Sequence, residues 1–522
     1  MTGFVIAVDL GTTGLKVAVV DPAGCVRGFA GEVLPLLFGD DGSAEQDPER
    51  WWEALGRGVR LALSRASVGG EDVGTITVTS QYTSTVAVAA DGTPLAPVVM
   101  WMDVRPAAHS PFAASPGRAE RWAEIHGRPP GPGGRPGQVA MFRRVFPEVH
   151  DAAAAFLEPM DALAARLTGH VTATQNTMFP LGVIDGAAWG ATSYDDELVE
   201  LVGVDPSRLP SLVPLGAPRG TLCASAAEHL GLPTRVVVAD ATIDSVTSAV
   251  GTGARLASRC GLIIGTTTVV ATHVSSPRAD AAHGLFSAPS PVPDSWFIVA
   301  ENGIGGKALD VFVNNVVFPD DGLGMAPPDD AFERVLDAAA TVPAGANGVL
   351  FLPWLVGSMA PGFDRHLRGA FANLGLSSTR ADMARAVLEG VALNAGWLIP
   401  HVTALAGSAD RSISFGGGGA RSPLWGQLLA DVLGADVRRL ANPDVTNAHG
   451  AALLALVQSG TLTWDDADAA LSVAEVHHPD AAVTAMYRRL LDAFVDAHQR
   501  WSPTFRILNS RSHSPTSQEA SP

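Results

Sequence analysis

The sequence is poor in cysteine and in charged residues. Its 522 residues include three cysteines, and charged residues make up only 17%. Cys25, Cys223 and Cys260 are far apart and lack metal-ligand spacing, which argues against a disulfide scaffold or a zinc site. The net charge is −18, and the chain contains no block of Lys or Arg residues. Binding to nucleic acid is therefore not expected, because counterion release needs a clustered basic surface.

Long apolar runs are also missing. No uninterrupted stretch approaches the roughly 18 residues that cross a bilayer, and the chain opens without a basic region or an apolar signal segment. The scattered histidines, including His477 and His478, have no companion ligand at metal spacing. We therefore expect no membrane partner, no metal held by histidine, and a cytoplasmic location.

What the sequence does contain is material for large cores. Hydrophobic residues make up 47% of the chain, and a length above 500 residues favours two domains with a cleft between them. Apolar strands alternate with amphipathic helices, which indicates an α/β fold. The break at Gly251-Thr252-Gly253 predicts domains at residues 1–252 and 253–501, followed by a flexible tail at residues 502–522.

The opening segment reads as strand, tight turn, strand. FVIAVDL leads through Gly11-Thr12-Thr13-Gly14 into LKVAVV. An acidic residue that ends a strand can face hydrated magnesium, while turn amides and hydroxyls hold phosphate oxygens. Asp9, Thr12, Thr13 and Lys16 fit these roles. A plain hairpin is the alternative.

A second turn of the same kind supports the phosphate-binding interpretation. Gly265-Thr266-Thr267 also separates two apolar runs, which suggests a duplicated core. Lys16 and Lys307 are the only lysines, and both lie in glycine-punctuated segments. Retention of a compact point charge in an arginine-rich chain is consistent with a neighbouring phosphate.

Local signals place several other elements. Asp47-Pro48 predicts a helix start, and a capping box at Thr379 predicts a long helix to Pro400. The Gly416–Gly419 run precedes a helix that begins at Ser422-Pro423, and missing side chains there would let a planar ring approach the backbone. A flexible loop is the alternative. The Pro/Gly-rich residues 128–137 predict an irregular surface loop.

Together these motifs resemble the FGGY family of carbohydrate kinases over roughly residues 4 to 500. The stretches that carry the resemblance are DLGTTGLK at Asp9, EQDPERWW at Glu45, WMDVR at Trp101, IDSVTSAVG at Ile243, GTTTV at Gly265, ARAVLEGVA at Ala384, and GGGARSPLWGQLLAD ending at Asp431.

The resemblance implies two ribonuclease-H-like domains of the actin-like ATPase type flanking a deep cleft, with residues 1–252 binding sugar and residues 253–501 binding nucleotide. It implies an ATP- and Mg²⁺-dependent transfer of phosphate to a hydroxyl of a ketose or polyol. Asp9 would hold Mg²⁺ through water. The residues implied to bind ATP are Asp9, Thr12, Thr13, Lys16, Gly265, Thr266, Thr267, Gly417, Gly418 and Gly419.

The family's general base begins a helix seven residues before a glycine, and Asp244 with Gly251 has that spacing. Asp240 is the nearest rival. A positioned carboxylate that accepts the proton of the attacking hydroxyl typically contributes about 10²–10⁴-fold. The residues implied to bind substrate are Gln81, Trp101, Asp103, Arg105 and Asp244. A purely structural pairing of Asp103 with Arg105 remains the alternative.

Two segments depart from the family's pattern. Typical xylulose kinases carry Gly-Gln-Met-His where this chain has Ser80-Gln81-Tyr82-Thr83, so xylulose stays one candidate substrate. Ser358-Met359 replaces a charged pair. An actin- or chaperone-like nucleotide switch, or a regulator that has lost activity, is the alternative function. A homodimer is left open.

Overall fold

The computed structural model describes residues 3–131, 133–255, 259–322, 324, 326–408 and 410–509. Strands β1 to β14 are Phe4–Leu10, Gly14–Val20, Val26–Val33, Leu37–Phe38, Ala44–Gln46, Val73–Ser80, Val86–Val88, Val98–Val99, Ala155–Leu157, Thr172–Ala173, Ser211–Leu212, Gly220–Thr221, Val237–Val238 and Thr242–Ile243. Helices α1 to α9 are Pro48–Ala66, Pro116–His126, Arg135–Val145, Pro147–Ala152, Pro159–Thr168, Gln175–Met178, Asp196–Val202, Ala224–Leu230 and Asp244–Gly251.

The second half continues the alternation of strands and helices. Strands β15 to β24 are Cys260–Ile264, Thr267–Val274, Ala279–Asp280, Leu285–Pro289, Trp296–Ile304, Leu350–Leu352, Ala370–Ala372, Ile413–Gly416, Val437–Leu440 and Val473–His477. Helices α10 to α16 are Gly306–Phe312, Ala331–Ala340, Arg380–Ala406, Pro423–Leu433, Thr446–Gln458, Trp464–Ala470 and Ala481–Asn509.

Each half is built on one large sheet, and the two sheets share a motif. In the first, β1 pairs antiparallel with β2 and parallel with β6, in the order β12-β13-β6-β1-β2-β3. In the second, β15 pairs antiparallel with β16 and parallel with β22, in the order β17-β18-β19-β16-β15-β22-β23-β24. The two Gly-Thr-Thr turns therefore occupy equivalent places, between β1 and β2 and between β15 and β16.

Strand β1 is apolar from Val5 to Val8 because both of its faces are covered there. Ile6 and Val8 belong to the core that contains the α1 residues Trp51 and Leu55. Val5, with the remaining alternate positions, packs on the other side against α14 from the second half of the chain. This continuous burial explains why the strand reads as an unbroken hydrophobic run rather than as an alternation.

Helices α9 and α14 cross between the two sheets at a pair of glycines. A Cβ added to Gly251 would lie 2.2 Å from the carbonyl oxygen of Thr446, and one added to Gly450 would lie 2.0 Å from that of Thr247. Only glycine permits backbones to approach this closely. The crossing brings Asp244, which begins α9, and Thr446, which begins α14, to the region between the sheets.

Helix starts agree with the predictions, and several helix ends differ. Asp47 caps α1, and Ser422 caps α13. Helix α12 continues past Pro400 to Ala406, because a proline removes only one backbone donor and Gly407 supplies the left-handed cap. Helix α16 continues to Asn509, so the tail predicted from Ser502 is wrong for residues 502–509. Residues 510–522 lie outside the described residues.

The expectation of a surface loop over residues 128–137 is also wrong in part. Helix α3 begins at Arg135, and the side chains of Arg135 and Gln138 are buried. Arg135 donates to the carbonyl oxygen of Phe156 at 2.8 Å, so its burial is supported by a hydrogen bond. None of the helices in the described ranges combines the length and hydrophobicity that a membrane crossing requires.

Candidate active site

The first Gly-Thr-Thr turn presents a buried carboxylate with an unsatisfied oxygen. The turn is closed by a hydrogen bond from the Gly11 amide to the Gly14 carbonyl, at 2.9 Å. Asp9 lies opposite Lys16 in the β1–β2 register. Burial raises the pKa of Asp9, while the Lys16 charge and a hydrogen bond from Asn447 oppose that shift. Its Oδ1 atom has no hydrogen-bond partner among the described residues, which fits a carboxylate that faces a hydrated cation.

The second turn lies beside the glycine run. The Gly305 amide donates to the Thr266 carbonyl at 3.0 Å, and the Gly306 amide donates to that of Gly265 at 2.8 Å. A Cβ at Gly417 would lie 2.7 Å from the carbonyl oxygen of Ile264, the last residue of β15. Gly417 also has a φ of +79°, so glycine is required there on two grounds. The turn and the run thus form one surface.

Within that run, Gly418 is open. No atom lies within 4 Å of the position that its Cβ would take, whereas a Cβ at Gly419 would lie 3.0 Å from Ile264. An exposed, side-chain-free backbone next to a phosphate-type turn can accept the flat face of a ring. Gly417 and Gly419 are explained by packing, and Gly418 is the position left for a ligand.

The N-terminus of α14 connects the two turns and was missed by the sequence analysis. The Asn447 side chain acts on Asp9 and lowers the pKa of that carboxyl, and it accepts a 2.8 Å hydrogen bond from Ser248 of α9. Its neighbour Thr446 limits Gly416, whose Cβ would lie 2.7 Å from the threonine hydroxyl. The first turn and the glycine run are therefore joined through two adjacent residues. The helix-start pair Thr-Asn carries no sequence signal that links it to Asp9.

Asp244 begins α9 directly after β14, which pairs with the end of β6. Burial, then the charges of Asp9 and Glu301, raise the pKa of Asp244 to about 8, against hydrogen bonds from Ser245 that favour its ionised form. Carboxylates influence it from two sides, because Asp9 belongs to the first turn and Glu301 to β19 of the other sheet. This position between the sheets suits a carboxyl group that exchanges a proton with a ligand.

The rival carboxylate, Asp240, already accepts hydrogen bonds from protein donors. It accepts hydrogen bonds from Arg219 at 3.2 Å and from the Gly216 amide at 2.8 Å. Arg219 also bonds Asp161 at 2.8 Å, and all three of these charged side chains are buried. Burial raises the pKa of Asp240 to about 6. The network explains Asp240 as a structural residue and favours Asp244 as the reactive one.

The residues predicted to bind sugar divide into two groups. Gln81 is buried and accepts a 2.7 Å hydrogen bond from Ser84, whose hydroxyl accepts from the Trp101 amide at 3.0 Å. Trp101 is 40% exposed, and its Nε1 donates to the Thr12 hydroxyl at 3.2 Å. The indole therefore joins the first turn and keeps a face open to a ligand, whereas Gln81 supports it from behind.

Asp103 and Arg105 bond to each other. Arg105 donates to Asp103 and to Glu45, both at 2.6 Å, and Asp103 also accepts from the Ala44 amide at 3.1 Å. This is the structural pairing that the sequence analysis kept as its alternative. Their predicted role in substrate binding remains a prediction, and their polar atoms already have protein partners.

A cavity of about 250 Å³ adjoins Asp244 and contains polar residues that the sequence analysis did not select. It is lined by Tyr82, Arg128 and Glu301 together with the aromatic rings of Phe286 and Phe297. The pKa of Tyr82 is raised by burial and by the charges of Glu301 and Asp244, against the Arg128 charge and hydrogen bonding to Ser245, which lower it. Arg128 reaches this cavity from the segment predicted as surface loop. Nothing in the local sequence distinguishes it from other loop arginines.

Arg128 and Glu301 influence each other without forming an ion pair. Burial raises the pKa of Glu301 and the Arg128 charge opposes it, yet no ion pair within 4 Å joins them to any side chain of the described ranges. A hydroxyl group placed between them could accept from the guanidinium and donate to the carboxylate. Met359, from the second departing segment, also lines the cavity.

Two family profiles together match most of the chain. The profile of the FGGY family of carbohydrate kinases, N-terminal domain, matches residues 4–251, and that of the C-terminal domain matches residues 260–459. Xylulose kinase of Escherichia coli is 28% identical over 95% of this chain and 99% of its own. Gluconokinase of Bacillus subtilis is 24% identical over 95% and 96%. The crystal structure of xylulose kinase from Rhodospirillum rubrum superposes with a TM-score of 0.81 at 28% identity, covering 96% of this chain and all of that one.

Proposed function

The chain belongs to the FGGY family of carbohydrate kinases and is an ATP-dependent sugar kinase with the actin-like ATPase fold; from that premise we propose that it phosphorylates a neutral ketose or polyol, with xylulose as the first candidate and Asp244 as the general base. The observation that carries the proposal is the position of Asp244, where the charges of Asp9 and Glu301 both act on it.

The proposed mechanism relies mainly on positioning. Asp244 would accept the proton of the attacking hydroxyl, while the turns at Gly11 and Gly265 hold phosphate oxygens with their amides and hydroxyls. Asp9, with its unsatisfied oxygen, would hold a magnesium ion through water, and that ion would neutralise charge on the phosphates. The open face of Trp101 would cover the apolar carbons of the substrate.

The charge around the cavity favours a neutral substrate over a sugar acid such as gluconate. Asp244 and Glu301 provide two carboxyl groups near the cavity, and Arg128 provides one guanidinium. When Asp244 is ionised so that it can act as the base, these groups carry a net negative charge. An anionic substrate would add to that charge, and juxtaposed like charges disfavour binding. The loss of the family's histidine at Thr83 does not remove hydrogen bonding, because Tyr82, Arg128 and Glu301 supply it.

Coupled ADP release with xylulose, ribulose, xylitol, glycerol and gluconate tests the proposal. We expect a ketose or polyol to give the highest kcat/KM and gluconate a low one. Asp244→Asn should lower kcat by about 10²–10⁴-fold and leave nucleotide affinity unchanged. Asp240→Asn is the matched control and should keep kcat within about tenfold, provided that its thermal unfolding is checked, since it breaks a buried ion pair. Preference for gluconate, or normal turnover of Asp244→Asn, would contradict the proposal.

The remaining expectations are also proposals. A cytoplasmic location follows from the supply of ATP and sugar, and the acidic composition supports the absence of a nucleic-acid partner. The proposed division gives sugar binding to residues 1–252 and nucleotide binding to residues 253–501. The Gly417–Gly419 run supports the nucleotide-binding half, whereas the cavity is lined from both halves, by Tyr82 and Arg128 on one side and by Phe286 and Glu301 on the other. The homodimer stays open.

A further inference from the structure

A cluster of two histidines and one aspartate lies at the edge of the second sheet. Asp280 ends β17, His283 lies in the turn between β17 and β18, and His401 is on α12. One potential ligand atom from each residue lies within 4.8 Å of the other two, and all three side chains are partly exposed. The rings of His283 and His401 have centroids 3.8 Å apart, and Nδ1 of His283 lies 2.6 Å from Asp280 Oδ2.

We propose that Asp280, His283 and His401 bind a divalent transition-metal ion of the zinc type, which ties the β17–β18 turn to helix α12. Two imidazoles and a carboxylate form a nitrogen-rich donor set that suits Zn²⁺, whereas Mg²⁺ prefers oxygen ligands. Three protein ligands leave a fourth position for water. No histidine metal site is expected from the sequence, because the histidines show no companion ligand at metal spacing. His283 and His401 are far apart in the chain, and only the fold brings them together.

The geometry needs little rearrangement to bind an ion. Bonds of about 2.0–2.1 Å at tetrahedral angles place ligand atoms roughly 3.3–3.5 Å apart. Atoms already within 4.8 Å reach that spacing by small side-chain rotations, which partly exposed residues can make. The His401 ring packs against that of His283 but forms no hydrogen bond with the described residues, so its ring nitrogens can coordinate without losing one.

The site differs from the magnesium position proposed at Asp9 and lies next to the cavity wall. Arg278 already fastens the same hairpin to α12, by a 3.1 Å hydrogen bond to the Leu405 carbonyl. Gly284, which follows His283 directly, and Phe286 two residues later line the cavity. A bound ion would therefore hold one wall of that cavity against α12. This consequence rests on the proposed function, whereas metal binding itself does not.

The test uses full-length, tag-free protein stripped of metal, without nucleotide, sugar or magnesium. Titration with ZnCl₂ by calorimetry should show one equivalent, and Co²⁺ should give the visible absorption of a tetrahedral nitrogen and oxygen site. His401→Gln and His283→Gln should each weaken zinc binding at least about tenfold. His478→Gln is the matched control, since His478 is an exposed histidine that also bonds an aspartate, and it should bind like the unmodified protein.

Unchanged affinity in His401→Gln, or equal losses in His478→Gln, would overturn the metal site. Hydrogen exchange of residues 279–287 tests for a clamp, meaning that the bound ion holds the β17–β18 turn against α12. A clamp predicts slower exchange with zinc in the unmodified protein and no change in His401→Gln, whereas binding alone predicts no change in either. Unaltered exchange on saturation would refute the clamp. Because no sugar or ATP is present, failure here leaves the proposed kinase function untouched, and failure of the kinase assay leaves the metal site untouched.

Discussion

The ionised form of Asp244 should destabilise the folded protein, and Asp244→Asn should therefore raise stability while it removes activity. Burial and two neighbouring carboxylates raise the pKa of Asp244 from 3.8 to about 8. The unfolded chain loses this proton near pH 4 and the folded chain near pH 8. Folding stability consequently falls as the pH rises between those values, since the folded state then binds more protons.

The magnitude follows from the size of the shift. About three pKa units separate the ordinary value from pH 7, and each is worth about 1.36 kcal/mol. The raised pKa of Asp244 therefore lowers the free energy of unfolding at pH 7 by at most about 4 kcal/mol. Asparagine keeps the shape and cannot ionise, so the variant avoids this cost. It should also relieve the repulsion that Asp244 exerts on Asp9 and Glu301.

Thermal unfolding from pH 5 to pH 8.5 measures the effect. The melting temperature of Asp244→Asn should exceed that of the unmodified protein by an amount that grows steadily with pH and flattens above pH 8. Asp91→Asn is the control, because Asp91 is an exposed turn residue whose pKa is lowered by hydrogen bonds with Thr93, and its difference should not grow in this way. A difference that is independent of pH, or an unmodified protein that is the more stable at pH 8, would refute the reasoning.

Two further substitutions test the helix crossing and the cavity. Gly251→Ala should lower the melting temperature, because a Cβ 2.2 Å from the Thr446 carbonyl forces overpacking that costs about 1–3 kcal/mol. Gly117→Ala is the control, because a Cβ added at that helical position would meet no other segment within 4 Å. Equal loss of stability in the two variants would argue against the crossing. Glu301→Gln should raise the kcat/KM for gluconate relative to a ketose, because it removes one negative charge beside the cavity. Unchanged selectivity would show that Glu301 does not discriminate between charged and neutral substrates.

Some of the site could be predicted because its signals are local. Asp9 ends a strand just before a glycine turn, and a strand followed by such a turn folds in the same way in many contexts. The spacing from Asp244 to Gly251 also lies within one helix. By contrast, Asn447, Arg128 and Glu301 reach the same region from distant elements. Arg128 lies in a segment whose proline and glycine content correctly suggests irregular backbone, but composition does not tell which side chain of a loop turns inward.

The sequence by itself determined the two strand–turn–strand units, the main helix starts and the positions of the two Gly-Thr-Thr turns, because these depend on hydrophobic periodicity, capping and turn residues within a few positions. Only the tertiary structure decided that α9 and α14 cross at Gly251 and Gly450. It also decided that Asp240 is held by Arg219 while Asp244 lies under the influence of Asp9 and Glu301, and that His283 meets His401. These arrangements depend on the packing of segments far apart in the chain, and burial and charge act through distances in space that a linear spacing does not contain.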